Sequence, residues 1–392
     1  MEDALKIEIA TSIAAIDAAQ WDACANSGDS YNPFVSHAFL KALEASKSAS
    51  PRAGWAPAHV LARSGATLVG AAPTYVKSHS MGEYVFDFGW ADAYLRAGLD
   101  YYPKIQVASP FTPATGPRLL ALPGCEARAR PALIGGLRAL RGKAEASSIH
   151  VTFPTREEWE ALGAAGFLLR TGQQFHFLNK GYGDFAGFLD DLASRKRKMI
   201  RRERREALAG GIDIDLLTGA DIKERHWDAF HEFYEDTGAR KWGQPYLTRA
   251  FFSMVGEAMP ERILLVMARR GTRYVAGAIN FIGSDALYGR NWGAIEDVPF
   301  LHFEVCYYQA IEFAISRGLA RVEAGAQGEH KLARGYGPVP TYSAHEIADP
   351  RFARAIGEYL RRERLQAELE LEGYATLTPF RRGEATPEPD GF

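Results

Sequence analysis

Two segments of the chain share one pattern of apolar strands around a central glycine. Residues 59–73 (HVLARSGATLVGAAP) align with residues 265–279 (LVMARRGTRYVAGAI) at an offset of 206 residues. In both, a strand, a turn centred on Gly65 or Gly271, a second strand and a Gly/Ala-rich stretch follow one another, as in a β-hairpin. Identical pairs fall at Val60/Val266, Ala62/Ala268, Arg63/Arg269, Gly65/Gly271, Val69/Val275 and Ala72/Ala278. A repeat of this kind predicts an internal duplication.

The flanks of the two hairpins extend the parallel. Apolar residues at helical spacing predict helices, with Ser36 as the N-cap of the first and Gly318 as the stop of the last. The predicted helices are 33–43, 132–146, 221–234, 246–258 and 303–315, and the further strands are 84–88, 148–153, 286–290 and 319–324. Each half therefore has the order helix, antiparallel strands, helix, strand. This order is typical of an α+β or mixed α/β fold and not of a doubly wound dinucleotide fold.

A domain boundary is expected in residues 178–190. The turn-rich segment 179–184 lies there, and the charged helix that begins at Ser194 belongs to the second half. The sequence therefore predicts an N-terminal domain over 1–178 and a C-terminal domain over 179–382 that carries the candidate active site. Residues 383–392 are polar, contain two prolines and are expected to form a flexible tail.

Composition limits the class of protein. The 392 residues are 47% hydrophobic and 24% charged, so the chain has the composition of a folded globular protein. With 46 Lys and Arg against 48 Asp and Glu, the net charge is −2, which gives no overall attraction to nucleic acid or to anionic membranes. Cys24, Cys125 and Cys306 lie far apart, an arrangement that argues against a disulfide framework or a thiolate zinc site.

The chain lacks the signals of membrane insertion and of several common enzyme classes. Apolar runs such as 263–268 have the length of strands, and residues 1–8 are acidic where a secretory signal is basic. We therefore expect a cytoplasmic protein without a transmembrane segment. The sequence contains no G-x-x-x-x-G-K-[ST], H-E-x-x-H or G-x-S-x-G motif, and no G-x-G-x-x-G follows a strand. No bound metal is expected.

A strongly basic helix is predicted at residues 194–206. The segment holds eight Arg or Lys and two Glu, a local charge of +6 in a chain of net charge −2. One interpretation is a solvated helix in which Glu203 and Glu206 pair with neighbouring arginines. The other is a site for polyanions such as tRNA, CoA or an anionic lipid headgroup. The candidate phosphate contacts are Arg195, Lys198, Arg202 and Arg205.

The densest mixture of chemical groups lies in residues 324–338, after a strand that ends at Glu323. Gly-rich loops at strand ends are frequent ligand sites. Glu329 or His330 could accept a proton from an attacking amine, while Lys331 and Arg334 could bind an anion or stabilise an oxyanion. Gln327 is a further candidate for substrate binding. The alternative is a polar turn whose charges face water.

Two further segments supply candidate binding residues. Prolines concentrate in the stretch 101–118, which should be an extended loop rather than a helix, with Lys104 and Arg118 as ligand contacts. The segments 238–246 and 288–292 bring tryptophans and cations together, and Arg290 with Trp292 could form a stacking and cationic wall. For these aromatic residues a place in the core is the alternative.

The hairpin pair, the basic segment 195–205 and the ending Glu323…GAQGEHK331 resemble the FemAB-like branch of the GNAT (acyl-CoA N-acyltransferase) superfamily. The resemblance covers nearly the whole chain and implies two tandem GNAT-like domains, each a largely antiparallel sheet flanked by helices. It implies transfer of an acyl or aminoacyl group to a small-molecule or peptide amine, from acyl-CoA or aminoacyl-tRNA as co-substrate. No tightly bound cofactor is implied.

The chain departs from that family at two places. The segment 184–209 has room for one short basic helix and not for the two long antiparallel helices of Fem transferases. The pyrophosphate loop Q/R-x-x-G-x-G/A of GNAT enzymes is replaced by residues 291–300, NWGAIEDVPF. The second hypothesis is therefore a catalytically inactive GNAT-like pair that binds an anionic lipid, RNA or protein.

Overall fold

A computed structural model describes residues 4–28, 30–241, 245–325 and 329–381, without the side chains of 241, 329 and 375. The chain divides into two compact units. Among the described residues, unit 1 comprises those up to Gly172 together with Thr341–Glu368, and unit 2 comprises those of Gln173–Pro340 and residues 369–381. The sequence predicts a single boundary at residue 178. This prediction is incomplete, because residues 341–368 return to unit 1.

Unit 1 contains two sheets. The first has the strand order β1-β3-β4-β7, and in the second β8, β6, β5 and β2 are successive neighbours. The strands are β1 (Lys6–Ala10), β2 (Trp55–Pro57), β3 (His59–Ser64), β4 (Thr67–Ala72), β5 (Thr74–Lys77), β6 (Lys104–Val107), β7 (Leu120–Ala121) and β8 (Ser148–Thr152). The helices are α1 (Ala18–Ala25), α2 (His37–Ala45), α3 (Phe88–Arg96), α4 (Glu126–Lys143) and α5 (Arg156–Ala164). The Ser36 side chain caps α2 by accepting a hydrogen bond from the Phe39 amide, as predicted.

Unit 2 is built on one sheet with the order β10-β11-β12-β13-β14-β9. Its strands are β9 (Leu168–Leu178, which begins in unit 1), β10 (Ile212–Thr218), β11 (Ile263–Arg270), β12 (Arg273–Ile282), β13 (Ala286–Ala294) and β14 (Arg321–Glu323). Its helices are α6 (Phe185–Asp191), α7 (Ser194–Ala207), α8 (Glu224–Lys241), α9 (Arg249–Ala258), α10 (Leu301–Phe303) and α11 (Gln309–Ser316). A π-helical turn, Glu304–Tyr308, joins α10 to α11, so the predicted helix 303–315 is present with this insertion.

The chain returns to unit 1 through β15 (Tyr336–Ile347) and α12 (Pro350–Ala375). In unit 1, β15 pairs antiparallel with β8, and Ser343 and His345 lie opposite Thr152 and His150. In unit 2, β13 pairs antiparallel with β12 but parallel with β14.

The predicted duplication is confirmed by the strand pairing. In each unit an antiparallel strand, β1 or β10, precedes the hairpin and pairs with its first strand. The β3–β4 and β11–β12 registers both shift at the same aligned step, after Ala62 and after Ala268. A shared β-bulge is a specific feature of a fold, so the two hairpins are equivalent units.

Two predictions about local structure are corrected. Residues 84–88 form no strand, and α3 begins at Phe88. The alternation that suggested a strand comes from aromatic residues that face water, since Phe86 is 60% and Phe88 46% exposed. The proline-rich stretch 101–118 contains no helix, as predicted, but it includes the buried strand β6 as well as loop.

Candidate active site

The segment that follows β14 forms a short 3-10 helix, Glu329–Arg334, called here the 329–334 turn. It ends at Gly335, whose φ of 94° lies in the region that favours glycine. A Cβ at this position would lie 2.7 Å from the ring of Phe188. Gly335 is therefore required for the chain to leave the turn and enter β15.

Arg334 is held inside the protein rather than presented to solvent. Its Nε and Nη2 donate to the two carboxylate oxygens of Glu203 at 3.1 and 2.8 Å, and its Nη1 donates to the His330 carbonyl at 2.6 Å. The guanidinium carbon lies 3.5 Å from the centroid of the Phe303 ring. Each terminal nitrogen thus has a protein partner, and Arg334 fixes the shape of the turn.

Lys331 is buried and binds the backbone at the end of β14. Its Nζ donates to the carbonyls of Ala324 and Gly325 at 2.6 and 2.9 Å. Burial lowers the pKa of Lys331 to about 8, because the charged ammonium is desolvated. The ammonium therefore ties the turn to the strand that precedes it.

His330 is the exposed member of the turn. Its Nε2 lies 3.0 Å from the hydroxyl of Tyr307 in the π-helical turn. Its pKa is lowered from the usual value, first by partial burial and then by the positive charges of Arg334 and Lys331. The imidazole is consequently neutral near pH 7, the form that can accept a proton.

An aromatic wall joins His330 to β13. The His330 ring centroid lies 5.8 Å from that of Tyr307, the His302 ring lies 5.3 Å from Tyr307, and the Trp292 ring lies 5.2 Å from His302. The structure thus brings Trp292 into the group that contains His330.

Arg290 is the extra residue of a β-bulge, since Ile279 lies opposite residue 291 and Asn280 opposite residue 289.

Two other predicted residues cannot be placed. Gln327 lies outside the described residues, and so does the side chain of Glu329. Their proposed roles stay predictions.

The basic helix α7 has two distinct faces. Ile200, Glu203 and Ala207 are buried, and Arg204 pairs with Glu304 at 2.9 Å. The four predicted phosphate contacts lie on the opposite face of the helix and are exposed: Arg195, Lys198, Arg202 and Arg205. Arg202 also lies 3.6 Å from Glu206, the type of pairing expected of a solvated helix.

Lys104 and Arg118 belong to unit 1, whereas all the other predicted site residues belong to unit 2. Both side chains are fully buried. Arg118 donates from Nη2 to the Ala114 carbonyl at 2.7 Å and from Nε to the Thr152 carbonyl at 2.9 Å. These bonds organise the loop before β7. Lys104 lies in a separate buried cluster of charged side chains with Glu83 and Asp87.

Sequence reasoning missed a buried polar centre where β13 and β14 run parallel. Glu323 of β14 lies opposite His176 of β9, with 3.8 Å between Oε2 and Nε2, and Arg321 donates to Glu323 at 3.0 Å. Burial lowers the pKa of His176 to about 4. Asn280 of β12 is also buried, and its Oδ1 has no hydrogen-bond partner among the described residues. In the sequence, the one sign of this polar centre is Asn280, a polar residue inside the apolar run 275–282.

Some features are absent from the described part of the chain. The described residues contain no group of three or more histidine, cysteine or carboxylate side chains arranged to hold a metal ion. Among the same residues, no helix combines the length and apolarity needed to cross a bilayer.

The chain belongs to the FemAB-like family, described as peptidoglycan biosynthesis/recognition, whose model matches residues 12–382. The fold is that of several solved structures. One is FemX, with 12% identity, 87% of this chain and 98% of that chain covered, and a TM-score of 0.54. Another is the C-terminal domain of a putative lysylphosphatidylglycerol synthetase from Agrobacterium fabrum, with 10% identity, 88% and 96% covered, and a TM-score of 0.52.

A third structure is L-PGS from Bacillus licheniformis, with 8% identity, 85% of this chain and 98% of that chain covered, and a TM-score of 0.50. At these identities the likeness establishes the fold. The mixed α/β fold with largely antiparallel sheets flanked by helices, expected from the sequence, is thereby confirmed. A search of curated proteins finds no significant match.

Proposed function

We propose that this protein is a transferase that moves an acyl or aminoacyl group from a thioester or ester donor to an amine. The donor is acyl-CoA or aminoacyl-tRNA. Membership of a family described as peptidoglycan biosynthesis/recognition supports an amine on a cell-wall precursor peptide as the acceptor. The single observation that carries the proposal is the neutral, exposed His330 held against Tyr307.

The reaction needs little covalent participation by the protein. The amine nitrogen attacks the donor carbonyl, a C–N bond forms, and the C–O or C–S bond to the leaving group breaks. The attacking amine must lose a proton, and His330 accepts it on Nδ1 when Nε2–H donates to the Tyr307 hydroxyl. The proton then passes to the departing alcohol or thiol. Burial raises the pKa of Tyr307, so its hydroxyl stays protonated and keeps the imidazole oriented.

The other predicted residues act around this base. Lys331 and Arg334 hold the 329–334 turn through their backbone and Glu203 contacts, and so they position His330. The exposed cations of α7 attract the phosphates of the donor, with Arg195, Lys198, Arg202 and Arg205 as the contacts. Trp292 contributes to the aromatic wall beside the base.

One observation favours the inactive binding module as a second candidate. Lys331 and Arg334, the cations nearest the proposed base, are bound within the protein rather than directed to solvent. A pure binder would use only the exposed face of α7 and would not require His330.

The experiment that separates the two candidates is an acyl-transfer assay. Purified protein is incubated with a lysine-containing peptide and either acetyl-CoA or a pool of aminoacyl-tRNAs, and the product is detected by mass spectrometry. We expect product with one donor class and a loss of about 100-fold or more in H330A. The matched control is H231A, which removes a partly buried histidine of α8 that pairs with Glu235. Product formation that is equal in H330A and H231A would reject His330 as the base.

A further inference from the structure

Helix α12 carries two leucines on a side that is open to solvent. Leu365 is 63% and Leu369 is 64% exposed, although both lie well inside a regular helix of 26 residues. Single exposed leucines are ordinary on protein surfaces. Two of them on successive turns of one helix form a continuous apolar strip, which is the kind of surface that a second helix can cover.

The opposite side of α12 is packed in unit 1. Ile356 and Leu360 are buried there in one apolar cluster with Trp90 of α3. Leu365 follows Ile356, and Leu369 follows Leu360, at the same interval of nine residues. Nine residues are about two and a half helical turns, so the two leucines lie on the side away from this cluster. The helix therefore has a second apolar surface besides the one that packs in the fold.

Charged side chains flank the two leucines in a definite order. At alternating intervals of four and three residues, one side of the helix presents Glu358, Arg362, Leu365, Leu369 and Glu372, called here the outer seam. All five residues are exposed. Intervals of four and three residues are those of side chains that face a neighbouring helix. The seam has a cation before the leucines and a carboxylate after them.

A second copy of α12 that runs antiparallel to the first matches this order. When Leu365 of one copy lies opposite Leu369 of the other, the residues three positions further out are Arg362 and Glu372, which then face each other. The contact is repeated about a twofold axis, which places four leucines at the centre and an ion pair at each end. Glu358 lies opposite Thr376, so no like charges meet.

The charges also argue against other arrangements of the seam. In a parallel pair each Arg362 would lie beside the other Arg362, and each Glu372 beside the other Glu372, which is repulsive. An anionic membrane or nucleic acid would meet the carboxylates of Glu358 and Glu372 at both ends of the seam. We propose that the outer seam of α12 is a homodimer interface in which two copies of the helix pair antiparallel.

The size of the seam sets the strength of the dimer. Arg362 and Glu372 are ten residues apart, about 15 Å along the helix axis, so the contact lies at the small end of specific interfaces. The dimer is therefore weak and dissociates on dilution. The inference concerns assembly alone and stands whether or not the protein is a transferase.

Sedimentation velocity of the full-length protein tests the proposal. Samples from about 1 to about 200 μM cover the range in which a small interface dissociates. A salt concentration of about 50 mM keeps the screening of the surface charges low. We expect the weight-average mass to rise toward twice the monomer mass across this range. A protein that stays monomeric at about 200 μM would overturn the proposal and leave the seam to a different partner.

A charge swap tests the antiparallel arrangement. R362E and E372R each turn both end pairs into like-charge pairs, so each should weaken the dimer about tenfold or more. The double variant R362E/E372R restores opposite charges at both ends, and its dissociation constant should return to within about threefold of the wild type. All of the altered side chains are exposed, so the fold should be kept. Single variants that dimerise as well as the wild type, or a double variant that is not restored, would overturn the proposal.

A leucine variant tests the centre of the seam. L365Q removes two of the four central leucines and should weaken the dimer about tenfold or more. The matched control is L95Q, because Leu95 is a 76% exposed leucine on another helix, α3. Circular dichroism should show that both variants keep the helix content of the wild type. Equal dissociation constants of L365Q and L95Q would also overturn the proposal.

Discussion

Arg334 and Glu203, 131 residues apart, form a buried bidentate ion pair with N–O distances of 2.8 and 3.1 Å. The pair connects the 329–334 turn to the basic helix α7, and the Tyr308 hydroxyl also donates to Glu203. The helix therefore has two roles. Its buried face holds the turn that carries His330, and its exposed face presents cations to solvent.

Removing the carboxylate of this pair should destabilise the protein strongly. E203Q leaves the Arg334 guanidinium buried without a counter-charge, and we expect a loss of about 3–5 kcal/mol in the free energy of unfolding. E206Q is the matched control, because Glu206 lies on the exposed side of the same helix, and it should change stability by no more than about 0.5 kcal/mol. Urea denaturation measures both, and equal stability of the two variants would contradict the buried pair.

The turn should not tolerate a side chain at residue 335. G335A places a Cβ at positive φ and 2.7 Å from the Phe188 ring, so unfolding free energy should fall by at least about 1 kcal/mol. At Gly337, two residues later, an added Cβ would have no atom within 4 Å, so G337A should be nearly neutral. Denaturation midpoints that shift equally in the two variants would show that the turn is formed differently.

The buried Lys331 should make stability depend on pH in the alkaline range. Its pKa is lowered to about 8 in the folded protein, whereas an unfolded lysine titrates near about 10.4. Between these values the unfolded chain binds more protons, so stability rises with pH through this group. The unfolding free energy of the wild type, taken relative to K331M, should increase by an amount on the order of 2 kcal/mol from pH 8 to 10. A relative stability that is flat over this range would place the ammonium in solvent, and one that falls would mean that partners raise its pKa; either result would contradict the lowered pKa.

The exposed face of α7 should control donor binding through phosphates. We expect weaker binding of tRNA or acetyl-CoA when four cations are replaced by Gln, namely Arg195, Lys198, Arg202 and Arg205. For tRNA, the plot of the logarithm of the binding constant against the logarithm of the salt concentration should become less steep, by up to about 3 in its slope. The control carries the same change in charge on exposed residues of unit 1, at Lys41, Lys47, Arg52 and Arg96. Filter binding and calorimetry across a salt series would show whether the two quadruple variants differ. Equal losses in both would exclude a specific role for the helix.

The elements that the sequence predicts well are those set by local periodicity. The hairpins β3–β4 and β11–β12 follow from alternating apolar residues around Gly65 and Gly271, which both have positive φ. The basic helix is also predicted correctly, and its eight cations in 13 residues account for the exposed face that it presents.

The features that the sequence does not reveal depend on contacts distant in the chain. From the sequence, Glu203 is expected to pair with arginines of its own helix. In the fold it pairs instead with Arg334, which is distant in the chain. Lys104 is predicted as a ligand contact in an extended loop, but it lies on the buried strand β6, where Glu83 and Asp87 enclose its ammonium. The return of β15 to β8 joins residues that are 195 apart at His150 and His345, and periodicity carries no information about such pairing.

The most direct measurement of the central claim is the pH dependence of kcat/KM for amine acylation in the wild type and in H330A. Since the pKa of His330 is lowered below its ordinary value of 6.5, the neutral base persists to more acidic pH. We predict that the wild-type kcat/KM, expressed per unprotonated amine, falls on the acid side only below pH 6.5, and that H330A loses both this fall and about 100-fold or more of the rate. If kcat/KM of H330A had the same value and the same fall at acid pH as that of the wild type, the account would be contradicted.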